Sequence, residues 1–125
     1  MKPVVLTYHE DDEYLTEELC YINELSNSLH DPAVSIAQAR LEPGVTTRWH
    51  RLIDTTERYC ILSGCGLVEI EGLAPTTVNC GDVVIIPPMC AQRVTNIGDD
   101  DLLFLAICSP RFEPHNYLDI EPDSD

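Results

Sequence analysis

Two stretches of the chain combine strand-like sequence with side chains that can do acid–base or metal chemistry. Residues 44–64 contain His50 and Glu57, and residues 81–96 contain Gln92. Each stretch opens with a glycine and presents polar side chains at alternate positions, which is typical of strands. An imidazole and a carboxylate can act as an acid–base pair. Together with an amide oxygen they can also bind a divalent metal ion.

Strand geometry predicts which of these side chains share a face. Successive side chains of a strand point to opposite faces, so residues two positions apart lie on the same face. The predicted same-face sets are Arg48, His50 and Leu52 in one strand, Glu57 and Tyr59 in the next, and Cys90 and Gln92 in a third.

The rest of the chain consists of short apolar segments separated by glycine and proline. Short strands at near-even spacing predict an all-β sandwich or barrel. A βαβ arrangement is excluded because no helical pattern of the usual length lies between the strands. The predicted strands are 33–41, 46–52, 58–62, 66–71, 76–80, 83–86, 91–95 and 102–108.

The two ends of the chain are expected to add less regular structure. Residues 1–9 hold a short apolar run, which we interpret as an edge strand added to the barrel or exchanged with a neighbouring molecule. Acidic residues followed by good helix formers predict one or two helical turns over 11–19, and 20–25 is predicted as a strand. From residue 109 onward we expect an acidic C-terminal tail that packs a turn around Phe112 and Tyr117 before fraying.

The residues of 44–64 resemble the first motif of the cupin superfamily. That motif is a glycine, five residues, His-x-His, three or four residues, Glu, six residues and a second glycine. Gly44, His50, Glu57 and Gly64 match it at the right spacing. Leu52 stands where the second His belongs.

The residues of 81–96 resemble the second cupin motif. That motif is a glycine, five residues, Pro-x-Gly, two residues, His, three residues and Asn, and Gly81, Pro87 and Asn96 match it. Met89 replaces the inner glycine and Gln92 replaces the His. The resemblance therefore predicts the fold well, whereas the metal site is degenerate.

The resemblance implies a double-stranded β-helix, a jelly-roll barrel formed by one domain over residues 1–125 with its core at about 33–108. Its site would lie in the mouth of the barrel. If His50 points inward as its family counterpart does, Arg48 points inward too. The interior would then be a small-molecule pocket with apolar walls and few convergent polar groups. The predicted polar lining is Arg48, His50, Glu57, Tyr59 and Gln92.

Two classes of function follow from this pocket. In the first, the protein binds a small polar or anionic ligand, with Arg48 fixing the anion and His50, Tyr59 and Gln92 donating or accepting hydrogen bonds. In the second, it is a metal-dependent enzyme such as an isomerase or dioxygenase, with one Mn, Fe, Ni or Zn ion on His50, Glu57 and Gln92. Cys90 on the same face would shift the preference to zinc.

A metal-free form of the enzyme is the third possibility. His50 and Glu57 would act as an acid–base pair for isomerisation or epimerisation, with Tyr59 as a further catalytic candidate. A purely structural interpretation also exists, in which His50 and Glu57 hydrogen-bond each other inside the barrel. Burial would otherwise penalise each of them by about 1–3 kcal/mol.

Composition restricts the partners. There are 22 acidic against 7 basic residues and the formal net charge is -15, which argues against nucleic acid because its phosphates require a basic surface. No apolar run is long enough to span a membrane, and the first residues do not resemble a secretory signal. We therefore expect a cytoplasmic protein whose six cysteines are packed as small apolar side chains. The family resemblance implies a homodimer.

Overall fold

The computed structural model of the protein describes residues 1–122, and within that range it contains eleven strands and two short 3₁₀ turns. None of the helical segments in this range is long and apolar enough to cross a membrane. The turns are Glu10–Asp12 and Pro114–Asn116. The strands are β1 (Tyr14–Leu15), β2 (Tyr21–Ser26), β3 (Ser35–Leu41), β4 (His50–Leu52), β5 (Thr56–Ser63), β6 (Cys65–Ile70), β7 (Thr76–Asn79), β8 (Val83–Ile86), β9 (Gln92–Asn96), β10 (Leu102–Ser109) and β11 (Tyr117–Asp119).

The strands form two antiparallel sheets. One has six strands in the order β1-β2-β3-β10-β5-β8, and the other has five in the order β11-β4-β9-β6-β7. Burial alternates residue by residue along β5, β6 and β9, so each strand turns one face inward and one outward. The two inner faces pack into a double-stranded β-helix, which confirms the predicted all-β class.

The hydrophobic core lies between the two sheets. Its fully buried members include Leu41, Val94 and Leu102. Tyr59 packs on Phe104 with ring centroids 4.7 Å apart and planes at 55°, a tilted geometry that aromatic pairs favour. Core side chains from β3, β5 and β10 of one sheet meet those from β6 and β9 of the other, and this contact holds the barrel together.

One motif glycine has a clear structural reason. Gly64 joins β5 to β6 with φ of +90°, and a Cβ there would stand 2.7 Å from the carbonyl oxygen of Asp101. L side chains rarely adopt that φ, and the backbone contact leaves no room for one. Only glycine fits this turn without displacing the strand beside it.

The terminal segments differ from the sequence predictions. Residues 1–9 form no strand, and the helical prediction for 11–19 reduces to one turn at Glu10–Asp12, because Tyr14–Leu15 pairs with β2 as a strand. The predicted strand 46–52 is regular only from His50 onward. The C-terminal segment does not fray after Tyr117, since β11 pairs in register with β4. The last three residues of the predicted acidic tail lie outside the described range.

All six cysteines are free thiols. Only Cys20 and Cys108 are buried, and Cys80 is exposed. The prediction that the cysteines are packed therefore fits two of them fully. Cys60, Cys65 and Cys90 are half-buried.

Candidate functional site

A cavity of about 530 Å³ is lined by residues of both sheets and of the N- and C-terminal segments. This volume lies in the range of small-molecule sites. Its walls include apolar side chains of β2, β3 and β10. The ionisable groups other than tyrosine and cysteine on its wall are Glu17, Glu18, Glu24, His50, Glu57 and Asp119.

His50 is the first residue of β4, and it is only 4% exposed. Its Nδ1 lies 2.8 Å from the carbonyl oxygen of Arg48, so Nδ1–H donates to that oxygen and Nε2 is the ring nitrogen left for another partner. The ring stacks on Tyr117 with centroids 5.0 Å apart and planes at 20°. The backbone carbonyl and the aromatic ring together fix the orientation of the imidazole.

Glu57 lies on β5 in the opposite sheet and also lines the cavity. Burial raises the pKa of its carboxyl, His50 opposes that rise, and Glu18 adds to it. Its Oε1 is buried and has no hydrogen-bond partner among residues 1–122. The Cys108 thiol is 3.8 Å from Oε2. Glu57 is therefore a buried carboxyl group on the cavity wall whose pKa lies above its ordinary value.

Tyr59 and Gln92 are not among the residues that line the cavity, although both were predicted to bind ligand. They are 5% and 1% exposed, and the Tyr59 hydroxyl donates a hydrogen bond to Oε1 of Gln92. Both side chains lie close enough to Glu57 to lower its pKa, yet neither bonds Oε1 with normal geometry. They support Glu57 from the core and take no part in the cavity surface.

Arg48 does not point into the barrel, which corrects the sequence prediction. Its Nε lies 2.7 Å from Oδ2 of Asp119, and its side chain is 35% exposed. The reason is that β4 begins at His50, so the alternation of a strand does not extend back to residue 48. An anion-binding role for Arg48 inside the pocket is therefore wrong.

Among the cavity residues that sequence reasoning missed are Glu18 and Tyr117, which both lie beside His50. Glu18 follows β1, and its Oε2 lies 3.8 Å from Nδ1 of His50. Burial raises the pKa of Glu18, and His50 opposes the rise. Nothing local in the sequence of residues 10–18 signals that Glu18 lines the cavity beside His50.

The predicted metal ligands do not fit a metal site. Among residues 1–122, no group of three or more His, Cys, Asp or Glu side chains is arranged to hold an ion. The Gln92 oxygen that would bind a metal already accepts the Tyr59 hydroxyl, and Leu52 is an apolar wall residue. Cys90 lies outside the cavity with its Sγ 3.3 Å from the carbonyl oxygen of Glu71, so the zinc alternative also lacks its thiolate.

Comparisons with known proteins give relatives for nearly the whole chain. No protein-family model matches it. It is 31% identical over 123 residues to the uncharacterized protein MJ1618 of Methanocaldococcus jannaschii, which covers 97% of this chain and 95% of that protein. It is also 40% identical over 73 residues to glucose-6-phosphate isomerase of Pyrococcus furiosus, covering 55% of this chain and 38% of the isomerase.

Solved structures share the barrel at lower sequence identity. KdgF from Halomonas sp. superposes with a TM-score of 0.78 at 18% identity, over 91% of this chain and 99% of that one. The nucleoside dehydratase Pac13 of Streptomyces superposes with a TM-score of 0.77 at 12% identity, over 97% of this chain and 95% of that one. A Klebsiella pneumoniae protein with a double-stranded β-helix domain superposes with a TM-score of 0.74 at 13% identity, over 90% of this chain and 94% of that one. The identity over nearly the whole of both chains places the protein in one family with MJ1618, and the solved structures share its double-stranded β-helix fold, in agreement with the cupin resemblance of the two sequence motifs.

Proposed function

We propose that the cavity binds a small hydroxylated molecule and that His50 and Glu57 transfer protons on it, as in an isomerase or epimerase. The observation that supports this most directly is that both groups line one cavity from opposite sheets. Nε2 of His50 is left for the substrate, because Nδ1–H donates to the Arg48 carbonyl oxygen. Burial raises the pKa of Glu57, which favours a proton on its carboxyl group. One group can accept a proton while the other donates one.

The chemistry follows from these two states. Nε2 of His50 removes the proton from a carbon next to a carbonyl group, while the Glu57 carboxyl donates its proton to the carbonyl oxygen. The product of this step is an enediol. Return of the His50 proton to the neighbouring carbon, with a hydroxyl proton returning to Glu57, gives the isomer, and return to the other face of the first carbon gives the epimer. No electrons are gained or lost by the protein.

The anionic ligand considered from the sequence has little support. No Lys or Arg side chain among residues 1–122 lines the cavity, and Arg48, which does not line it, is already paired with the wall carboxylate of Asp119. Burying an anion against several carboxylates is unfavourable. A neutral, hydroxyl-bearing portion suits the His50 and Glu57 end of the cavity better.

Two of the similar proteins support small-molecule chemistry on this barrel. One is named as an isomerase of glucose 6-phosphate and the other as a nucleoside dehydratase. The isomerase match covers only 38% of that protein, and its phosphate-bearing substrate is not transferred to this chain because the cavity offers no cation. What we carry over is the class of compound, a hexose or nucleoside.

The test is solvent deuterium exchange. The protein is incubated in D₂O with a panel of aldoses, ketoses and their derivatives, and NMR detects deuterium at carbon. We expect exchange that is lost in His50→Gln and in Glu57→Gln but retained in Glu42→Gln, a surface glutamate outside the cavity. Exchange that survives both site substitutions, or that is absent from the whole panel, would overturn the proposal. Exchange that requires added Mn²⁺ would favour the metal-dependent alternative instead.

A further inference from the structure

The edge strand β8 of the six-stranded sheet is apolar on both of its faces. It consists of Val83, Val84, Ile85 and Ile86, and exposed positions alternate with buried ones along it. Val83 is 59% exposed and Ile85 is 64% exposed. Strands with a continuous apolar sequence are typical of sheets that are covered on both faces. A single chain covers only the inner face of β8.

The outward side chains of β5, β8 and β10 extend this apolar surface across the sheet. Strand pairing joins them in two rows, Leu105–Cys60–Val83 and Ile107–Arg58–Ile85. Beside these rows Leu62 of β5 is 41% exposed. We call the apolar members of this surface the outer patch, which consists of Cys60, Leu62, Val83, Ile85, Leu105 and Ile107.

The outer patch lacks the negative charge that dominates the chain. The sequence holds 22 acidic residues and a net charge of -15, yet the outward positions of β5, β8 and β10, all within the described range, include no Asp or Glu. The outward face of the other sheet differs, since it carries the Glu69–Arg93 ion pair. Two copies of so acidic a chain repel each other. A surface free of carboxylates is where they can meet.

Strand β8 is also a free edge of its sheet. It pairs with β5 on one side only, so its other side presents unpaired backbone groups. Edge strands of natural proteins are commonly protected by a charge, a proline or a bulge. The four residues of β8 contain no charge or proline, and their pairing with β5 has no bulge. This edge therefore needs cover from another segment.

The N-terminal segment, residues 1–8, is an apolar element that is itself unpaired. Val4, Val5 and Leu6 are 55%, 90% and 55% exposed. No backbone–backbone hydrogen bond joins residues 1–8 to another residue of the described range. An exposed apolar segment with free backbone groups has the properties that cover an open strand edge. The same chain thus carries both the open edge and a segment suited to it.

The end of this segment lies on the outward face at the β2–β3 side of the sheet. The Tyr8 hydroxyl is 3.4 Å from Nε2 of Gln38, and the His9 carbonyl oxygen accepts a hydrogen bond of 2.9 Å from Nδ2 of Asn23. Gln38 lies opposite Leu105 of the outer patch. Strand β8 lies at the other side of this sheet. A two-fold axis parallel to the strands therefore brings the segment of one copy opposite β8 of the other.

We propose that the outer patch packs against the same patch of a second copy of this chain, and that residues 1–8 of each copy cover β8 of the other. The product is a closed two-fold dimer in which each copy gives one segment and receives one. The cavity containing His50 and Glu57 takes no part in this contact. The inference is independent of the proposed function.

The size of the patch explains why the segment is needed. Three strands at a spacing of about 4.8 Å and six residues of about 3.3 Å give a flat footprint of roughly 300 Å². Stable interfaces bury about 800 Å² per partner. The patch alone falls short of this area, so the segments must supply much of the remainder.

Sedimentation equilibrium of the full chain between roughly 1 and 100 µM tests the dimer. We expect a dimer whose fraction rises with protein concentration. Added NaCl should tighten it, because salt screens the repulsion between two copies of net charge -15. An interface held by ion pairs would weaken with salt instead.

Lysine substitutions on the outer patch locate the interface. Ile85→Lys and Val83→Lys each place a charge at an exposed position, and each should raise the dimer Kd at least about tenfold. Leu118→Lys is the matched control, because Leu118 is a 40% exposed apolar residue on the edge strand β11 of the other sheet. It should leave the Kd unchanged. Circular dichroism checks that all variants fold.

A second pair of substitutions tests the segment. Val5→Lys should also raise the dimer Kd by about tenfold. Leu73→Lys is its control, because Leu73 is 61% exposed in the turn between β6 and β7, and it should have no effect.

Four results would overturn the proposal. They are a monomer at every concentration, species larger than a dimer, a dimer that weakens with salt, and a dimer whose Kd is unchanged by Ile85→Lys or changed equally by Leu118→Lys. An unchanged Kd in Val5→Lys would overturn the role of the segment. None of these substitutions lies on the cavity wall, so deuterium exchange judges the proposed function separately.

Discussion

His50 and Tyr117 stack with ring centroids 5.0 Å apart and ring planes at 20°, although 67 positions of sequence separate them. The contact exists because β11 pairs with β4, with Tyr117 opposite Leu52 and Asp119 opposite His50. The C-terminal strand therefore supports the imidazole from one side. The carbonyl oxygen of Arg48 holds it at Nδ1 from another.

Replacement of Tyr117 should separate positioning from hydrogen bonding. Tyr117→Ala removes the ring that orients His50, and we expect deuterium exchange to fall by about tenfold to 100-fold, the effect of a small misplacement of a reacting group. Tyr117→Phe keeps the ring and should retain most of the activity. An equal loss in both variants would show that the hydroxyl matters and the stacking does not.

Gly64 and Gly72 form a matched pair for testing the turn between β5 and β6. Both have φ of +90°, but a Cβ on Gly64 would meet the Asp101 oxygen at 2.7 Å, while one on Gly72 meets nothing within 4 Å. Both alanine variants share the strain of a positive φ, about 1–3 kcal/mol. We expect Gly64→Ala to destabilise the protein by roughly 2 kcal/mol more than Gly72→Ala, since overpacking adds about 1–3 kcal/mol. Urea unfolding measures the difference, and equal losses would contradict it.

Local sequence patterns predicted the barrel because each strand and turn is specified by residues close to one another in the sequence. Alternation, glycine spacing and proline breaks sufficed for most of β3 to β10, and they placed His50 and Glu57 on buried faces. Those signals depend on residues within a few positions of each other. They required no knowledge of how the ends of the chain return to the barrel.

The parts of the site that sequence missed depend on long-range packing. Glu18 reaches His50 only because the segment after β1 folds over the barrel mouth, and Tyr117 does so only because β11 joins a sheet. The prediction that Arg48 points inward was wrong for a different reason, since it extended the alternation of a strand past the start of β4. Strand boundaries are the weakest part of pattern reasoning, and one misplaced boundary reversed the direction of a charged side chain.

Arg48→Ala should change the pKa of the Asp119 carboxyl group. The pKa of the Asp119 carboxyl is lowered by its hydrogen bond to Arg48, with smaller help from the Glu121 backbone. Removing the guanidinium should move that pKa upward, toward the ordinary value of 3.8. A ¹³C NMR titration of the carboxyl measures the shift, and Arg93→Ala is the control because Arg93 pairs with Glu69. An unchanged pKa of Asp119 in Arg48→Ala would contradict the ion pair.

Glu57 should make stability depend on pH. Burial raises its folded pKa above the ordinary 4.5, so below pH 4.5 both the folded and unfolded states are protonated and no stability is lost. Above that pH the unfolded state releases its proton first, and the free energy of unfolding falls as pH rises toward the folded pKa. The slope approaches about 1.4 kcal/mol per pH unit.

Glu57→Gln removes that titration. Urea unfolding between about pH 5 and pH 8 should therefore show a flatter profile than the native chain. Glu18 has a pKa raised in the same direction, so Glu18→Gln should flatten part of the profile as well. Native and Glu57→Gln profiles of equal slope would show that Glu57 is ionised in the folded protein.

Tyr59→Phe tests whether the pair beneath the cavity is structural. The Tyr59 hydroxyl donates to Oε1 of Gln92 in the core, and Nε2 of Gln92 has no partner among the described residues. Losing the hydroxyl leaves both ends of a buried amide unpaired, so we expect a loss of about 1–3 kcal/mol in the free energy of unfolding. Adding Gln92→Leu should restore part of it, because replacing both partners by apolar groups removes the unpaired amide.

Since neither residue touches the cavity, exchange activity should fall far less than in Glu57→Gln. Loss of activity without loss of stability would instead place the Tyr59 hydroxyl in the proton-transfer step.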